Sequence, residues 1–178
     1  KKNIGFIYAK IGELQHKIKE TDKAINTLIK AIDIQRSTAD IQDLAETYNI
    51  IGNVYADKED YEQAIAYYES AETLFRQKST PRLEAEVLLN KGKAQLNSKA
   101  FEKAQKTLIK AVRIAKQQQL TPVLSSSLIQ LGKTLHHLNY LGSALENAND
   151  GYDIAKTNNY STILQEGSIV LSNLHQSD

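Results

Sequence analysis

"YNIIGNVYADKEDYEQAIAYYESA", residues 48–71, places Gly52 inside a stretch that otherwise has the composition of a helix. A glycine in a helix interior costs about 1 kcal/mol relative to alanine. Its presence can reflect the close approach of two backbones, a ligand that needs the space, or a break in the helix. The rest of the chain distinguishes between these three explanations.

Small residues recur along the chain with a period of 40 residues. Each repeat has a glycine, an alanine twelve residues later, and a second small residue seven residues after that alanine. Four repeats in one register favour a structural role for the glycine. The three columns are Gly12, Gly52, Gly92 and Gly132; Ala24, Ala64, Ala104 and Ala144; and Ala31, Ala71, Ala111 and Gly151.

The spacing of the apolar residues predicts an all-α fold, because they recur three and four apart and the alternation typical of strands is absent. We expect four helix hairpins at residues 3–39, 40–79, 80–120 and 121–160, followed by a terminal helix at 161–177, in a single domain. The predicted helices lie at about 3–18, 22–37, 41–57, 61–78, 81–97, 101–118, 122–138, 142–157 and 162–176.

Local signals predict where the helices begin and where the chain turns. Asp40, Thr80, Thr121 and Ser161 are side chains that can cap the helix starts that follow them. Turns inside the hairpins are expected at residues 58–60, 98–100 and 139–140.

Small residues also predict how the helices pack. We expect each glycine to face the alanine twelve residues later, since small side chains let two backbones approach closely. The second small column should receive the first helix of the next repeat, so that stacking supplies the core that one hairpin lacks.

The second repeat resembles the tetratricopeptide repeat family. The residues that carry the resemblance are Tyr48, Ile51-Gly52, Tyr55, Tyr61, Ala64, Tyr68 and Ala71. The resemblance implies a right-handed α-solenoid of antiparallel helix hairpins whose concave face binds a protein or peptide. The period of 40 residues exceeds the family's usual period of about 34. This long form is similar to the repeats of kinesin light chains, of bacterial peptide-sensing regulators and of the sensor arms of bacterial signalling enzymes.

Composition limits the partners. A formal net charge of +1, from 22 basic and 21 acidic residues, does not favour nucleic acid or a membrane surface. The chain has no cysteine and no apolar run of about 18 residues, so we expect no disulfide, no membrane span and a cytoplasmic location. Because the chain starts with Lys1-Lys2 and lacks methionine, we expect it to be a segment of a longer protein.

Candidate chemical motifs are incomplete. Gly132-Lys133-Thr134 resembles the end of a phosphate-binding loop, but Ser127 stands where the earlier glycine is required. His136 and His137 are adjacent on a helix and point about 100° apart, which does not suit a shared metal ion. We therefore expect no catalysis, no cofactor and no metal.

The resemblance places the residues three before and one after each glycine on the concave face: Ala9 and Glu13, Asn49 and Asn53, Leu89 and Lys93, and Ile129 and Lys133. Asn49 and Asn53 lie four apart on one helical face, and their amides offer the donors and acceptor that an extended peptide needs. The alternative is that both are ordinary solvated residues.

Lys93 and Lys133 lie one repeat apart and are expected to meet an acidic group of the ligand, together with Asn90 and Gln130. Leu89 and Ile129 would form an apolar floor. The predicted groove therefore consists of Asn49, Asn53, Leu89, Asn90, Lys93, Ile129, Gln130 and Lys133.

Three functions stay open. The first is a scaffold that binds an extended peptide or a helix of a protein partner without catalysis. The second is a regulatory sensor arm of a larger bacterial signalling protein, such as a histidine kinase, a cyclase or a transcription regulator. The third is a homo-oligomerisation module that self-associates through the terminal helix.

Overall fold

A computed structural model describes residues 2–39 and 41–176 of the chain, with Lys2 described by its backbone alone. These ranges contain nine α-helices and no strand, so the predicted all-α fold of helix hairpins is confirmed. Every predicted helix end lies within one residue of the observed end. The helices are α1 (Lys2–Lys17), α2 (Thr21–Ser37), α3 (Ile41–Asp57), α4 (Tyr61–Gln77), α5 (Pro81–Asn97), α6 (Phe101–Gln117), α7 (Thr121–His137), α8 (Leu141–Thr157) and α9 (Ser161–His175).

A residue with positive φ stands in every connection between consecutive helices. Between α3 and α4 this residue is Glu59, with φ 62°, and the N–H of Asp60 donates to the carbonyl of Tyr55 across 3.0 Å. Such a left-handed residue closes a helix end tightly. The three predicted turns are confirmed, and the same turn also joins the hairpins. The eight residues are Lys19, Ala39, Glu59, Ser79, Lys99, Gln119, Asn139 and Asn159.

The predicted side-chain caps are wrong at two helix starts. Thr121 and Ser161 are the first helical residues of α7 and α9, and the positions before them, Leu120 and Tyr160, make no side-chain capping bond. The Thr121 hydroxyl instead forms a 2.6 Å hydrogen bond with the Tyr160 hydroxyl. The cap predicted at Asp40 lies outside the described residues.

Side chains do form hydrogen bonds at the starts of α4 and α5. Asp60, predicted only as a turn residue, caps α4, because its carboxylate accepts from the N–H of Gln63 across 3.2 Å. The Thr80 hydroxyl donates to the carbonyl of Phe75 across 3.1 Å, and Pro81 begins α5 as predicted.

The glycine of each of the first three repeats packs against the residue sixteen positions later. A Cβ atom added to these glycines would lie 2.6 Å from that side chain, which is too close for two carbon atoms. In these three repeats the residue nearest to the glycine is therefore not the predicted alanine twelve positions later. Close packing of the two helices does explain the glycine. The pairs are Gly12 with Leu28, Gly52 with Tyr68, and Gly92 with Leu108.

The fourth hairpin brings backbone against backbone, because the residue sixteen positions later is the small Ala148. A Cβ atom at Gly132 would lie 2.8 Å from the carbonyl oxygen of Ala144 and 3.0 Å from the backbone nitrogen of Ala148. The predicted approach of the glycine to the alanine twelve residues later is observed here.

Gly151, from the second small column, packs within its own hairpin. A Cβ atom there would lie 2.7 Å from the carbonyl oxygen of Ser125 and 2.8 Å from Cγ1 of Ile129, both on α7. The Ser125 hydroxyl also donates to the carbonyl of Gly151 across 2.6 Å. The nearest atoms all belong to α7, and the contact of Gly151 with α9, the first helix of the next repeat, stays a prediction.

The helices form two compact units, Lys1–Thr80 and Pro81–Asp178. In the first unit α3 packs against α2 and α4, and in the second unit α7 packs against α6, α8 and α9. A single domain over residues 1–178 stays a prediction. Within the described ranges, no helix combines the length and the apolar character that crossing a bilayer needs.

Candidate functional site

Asn49 and Asn53 belong to the first unit, where both are half-buried on α3. The Tyr68 hydroxyl donates to Oδ1 of Asn53 across 2.7 Å, while the Tyr68 ring covers Gly52. The Asn53 oxygen therefore accepts one hydrogen bond within the unit and has one further lone pair with which it could accept from a peptide N–H. Asn53 is therefore not an ordinary solvated residue, and its part in peptide binding stays a prediction.

Burial raises the pKa of the Tyr68 hydroxyl, and the nearby carboxylate of Asp57 raises it further. Because the unfolded chain releases this proton first, above pH of about 10, the stabilisation is complete below that pH and is lost as the pH rises. The loss can reach about 1.4 kcal/mol per pH unit until the folded-state pKa is passed. We expect the unfolding free energy of Tyr68→Phe, measured by urea denaturation, to fall less steeply than that of wild type between about pH 10 and 11.5.

The matched control for this pH prediction is Tyr140→Phe, because Tyr140 is 57% exposed. The comparison concerns the slope of the unfolding free energy with pH, so the hydrogen bond to Asn53 that Tyr68→Phe also removes does not affect the conclusion. Equal slopes for wild type and Tyr68→Phe would contradict the prediction.

A polar cluster in the second unit joins three helices through Glu166 of α9. The side-chain amide of Gln130 donates to Oε1 of Glu166 across 2.6 Å, and Nζ of Lys93 lies 3.9 Å from Oε2. The acidic group that the sequence analysis expected from a ligand is thus supplied to Lys93 and Gln130 by the chain itself. Asn90, predicted beside them, is half-buried on α5.

Sequence reasoning missed Glu166, although the 40-residue period contained a signal for it. The position six residues before each glycine is Glu46 in the second repeat and Glu86 in the third, and the next steps of 40 residues reach Ser126 and Glu166. This column lies outside the positions that the family resemblance places on the concave face. The terminal helix therefore adds a functional group to the predicted groove.

A cavity of about 240 Å³ lies between α7 and α9, beside this cluster. Lys133 stands at its edge, is exposed, and makes no hydrogen bond or ion pair among the described residues. Sequence reasoning found Lys133 but none of the apolar residues around it. The cavity is lined by Lys133, His136, His137, Glu166, Ile169, Val170, Asn173 and Leu174.

His137 contributes a flat, uncharged surface to the cavity at neutral pH. Its ring stacks on Phe101 with the ring centres 4.7 Å apart. Burial lowers the pKa of His137, and the neighbouring His136 and Lys133 lower it further. The two histidine rings are tilted by 54° with centres 5.9 Å apart. Among the described residues, no group of three or more potential ligands could hold a metal ion.

Leu89 and Ile129 do not form a groove floor, and this prediction was wrong. Ile129 has no exposed surface, and Leu89 is 8% exposed. A Cβ atom at Gly151 or Gly167 would lie 2.8 or 3.1 Å from the Ile129 side chain, so α8 and α9 both close over it. Both residues belong to the core, Ile129 because α8 and α9 pack on α7, and Leu89 because α5 packs against α6 and α7.

Comparison with known proteins identifies the family. Models of the tetratricopeptide repeat match residues 3–77 and residues 85–118, which together exceed half of the chain. The chain belongs to the tetratricopeptide repeat family. Its tetratricopeptide repeats are of the long, 40-residue form. No curated protein matches the sequence.

Solved structures share the fold of these tetratricopeptide repeats. Aspartyl phosphate phosphatase F from Bacillus subtilis has a TM-score of 0.89 at 18% identity, over 97% of this chain and 45% of its own. A Rap protein complexed with competence and sporulation factor has a TM-score of 0.80 at 17% identity, over 96% of this chain and 48% of its own. A putative kinesin light chain from Podospora anserina has a TM-score of 0.78 at 12% identity, over 95% and 84% of the two chains. The chain thus spans about half the length of the first two.

Proposed function

We propose that the chain is a non-catalytic protein-binding module, and that the cavity between α7 and α9 receives one side chain of an extended peptide. Lys133 carries this proposal, because it is an exposed ammonium group that lines a mostly apolar cavity and makes no ion pair with any other residue that the structure describes. Family membership supports a binding function, and the Rap protein that was crystallised with competence and sporulation factor is a structural neighbour.

The cavity's size and charge indicate the class of peptide. About 240 Å³ is below the roughly 300–1,000 Å³ of sites that hold a whole small ligand, so it suits one apolar side chain of a longer one. Glu166 is already bound by Gln130 and Lys93, which leaves Lys133 to attract a carboxylate. The expected ligand therefore has an acidic residue next to an aliphatic or aromatic one.

Short designed peptides test this function by fluorescence anisotropy. One carries a central Glu-Leu pair, the second replaces it by Lys-Leu, and the third by Glu-Ser. We expect the first peptide to bind at least about ten-fold more tightly than the other two, since each of those should lose about 1.4 kcal/mol or more of binding free energy. Lys133→Glu should reverse the preference between Glu-Leu and Lys-Leu.

Lys103→Glu is the matched control, because Lys103 is exposed on α6 and away from the cavity lining. It makes the same change in net charge and should leave the order of affinities unchanged. Absence of binding by all three peptides, or equal effects of the two lysine variants, would contradict the proposed site.

Asn49 and Asn53 stay a predicted binding site in the first unit. Both are half-buried, and Asn53 retains its amide donors, because only its oxygen is used by Tyr68. An extended backbone could therefore be bound there through its carbonyl groups. The cytoplasmic location also stays a prediction.

A second candidate is the regulatory arm of a larger bacterial signalling protein. Two of the solved structures that share the fold favour this candidate, since the chain covers only 45% and 48% of their lengths. The same peptide-binding step would then regulate another part of the protein.

A further inference from the structure

Two histidines stand beside the lysine of the cavity between α7 and α9. His136 and His137 form the end of α7, one turn after Lys133, and all three side chains line the cavity. A histidine side chain ordinarily gains its positive charge between about pH 5 and 8, whereas a lysine is charged throughout that range. The number of positive charges in the cavity therefore depends on pH.

The helices packed on α7 place one charged group among the described lining residues. It is the Glu166 carboxylate of α9, which accepts from the Gln130 amide across 2.6 Å and lies 3.9 Å from Nζ of Lys93 on α5. From α6, the uncharged Phe101 ring stacks on His137, and no described residue of α8 belongs to the lining. Because Lys93 balances the charge of Glu166, each proton that a histidine takes up makes the cavity more positive.

The surroundings of His137 disfavour its charged form in the protein alone. Burial lowers the pKa of His137, and the neighbouring His136 and Lys133 lower it further. A carboxylate placed in the cavity acts in the opposite direction, because an opposite charge within about 4–6 Å favours the imidazolium. Binding of an acidic ligand therefore raises the pKa of His137 and takes up protons.

The direction of the pH effect follows from this proton uptake. A ligand that takes up protons on binding binds more tightly as the pH falls, until the histidines are protonated without it. The effect is expected between about pH 7.5 and 5.5, since an unperturbed histidine titrates near pH 6.5 and the carboxylate of a peptide glutamate is still ionised there.

We propose that the cavity is a pH-dependent site, at which His136 and His137 join Lys133 in binding an acidic peptide residue as the pH falls. This inference rests on the proposed function, because it concerns the same cavity and the same class of peptide. The two imidazole rings are tilted by 54° with centres 5.9 Å apart. An arrangement that does not suit a shared metal ion thus still lets both rings line one cavity.

Fluorescence anisotropy at constant ionic strength tests the inference with the Glu-Leu peptide. We expect its Kd to fall at least about three-fold between about pH 7.5 and 5.5. A Gln-Leu peptide of otherwise identical sequence should show no such fall, because it lacks the charge. The double variant His136→Gln/His137→Gln should bind Glu-Leu with a Kd that does not change with pH. His16→Gln, in the first unit, is the matched control and should keep the wild-type pH dependence.

An NMR titration of the His137 ring gives a second measurement. Its pKa should be higher with saturating Glu-Leu peptide than without peptide, and the spectrum of His137→Gln identifies its signal. Glu-Leu binding with a constant Kd, an equal fall for Gln-Leu, or a pH dependence that survives in the double variant would overturn this inference and leave the proposed function standing. Absence of Glu-Leu binding at every pH would overturn both.

Discussion

Replacing Gly52 by leucine is expected to destabilise the first unit by about 3 kcal/mol, through overpacking. A Cβ atom at this position would lie 2.6 Å from Cε1 and 2.8 Å from Cδ1 of Tyr68. The Tyr68 ring cannot move aside easily, because it is 1% exposed and its hydroxyl is bonded to Asn53. The larger side chain therefore has to separate α3 from α4. Urea denaturation followed by circular dichroism measures the loss.

Gly142→Ala is the matched control for Gly52. Gly142 is also helical, but no atom lies within 4 Å of the place that its Cβ would occupy. Alanine is the better helix former by up to about 1 kcal/mol, so this variant should be neutral or slightly more stable than wild type. If Gly52→Leu unfolds at the wild-type urea concentration, close packing is not the reason for the glycine.

Ile129→Ala is expected to cost about 3 to 4 kcal/mol, the second of the two largest effects. Ile129 has no exposed surface and lies against Gly151 and Gly167, so that α7, α8 and α9 all close around it. Truncation would leave a cavity that three packed helices cannot readily fill. Thermal or urea unfolding of the variant measures the cost.

The control for Ile129 is Ile169→Ala, which changes the same type of residue at a site 56% exposed. It should alter stability by no more than about 0.5 kcal/mol. A groove-floor residue would show the opposite behaviour, with weaker peptide binding and little change in stability. Equal stability of the two variants would therefore restore the original prediction for Ile129.

The repeat made the helices predictable. Small residues 40 apart at Gly12, Gly52, Gly92 and Gly132 gave the register, and the helical spacing of apolar residues gave the rest. Helix ends were found to within one residue because each hairpin repeats the same local turn. The left-handed turn residues include no glycine, and only Asn139 and Asn159 are of a type that favours this conformation.

The candidate site was predictable only in part. Lys133, predicted to face an acidic group of a ligand, lines the cavity between α7 and α9 together with Glu166, which the prediction did not include. Ile129 was misplaced because the same 3.6-residue pattern describes a side chain in a groove and one under a neighbouring helix. Asn53 looked like a free amide because nothing in the local sequence connects it with Tyr68, fifteen residues later.

The sequence by itself determined the helices of residues 2–39 and 41–176, their pairing into hairpins and the family, because these depend on local spacing that repeats along the chain. Only the tertiary structure decided which faces are covered. It placed Glu166 against Lys93 and Gln130, buried Ile129 beneath α8 and α9, and left the side chains of Ile7 and Leu14 exposed. Exposure depends on which helix lies opposite, and residues distant in sequence supply that helix.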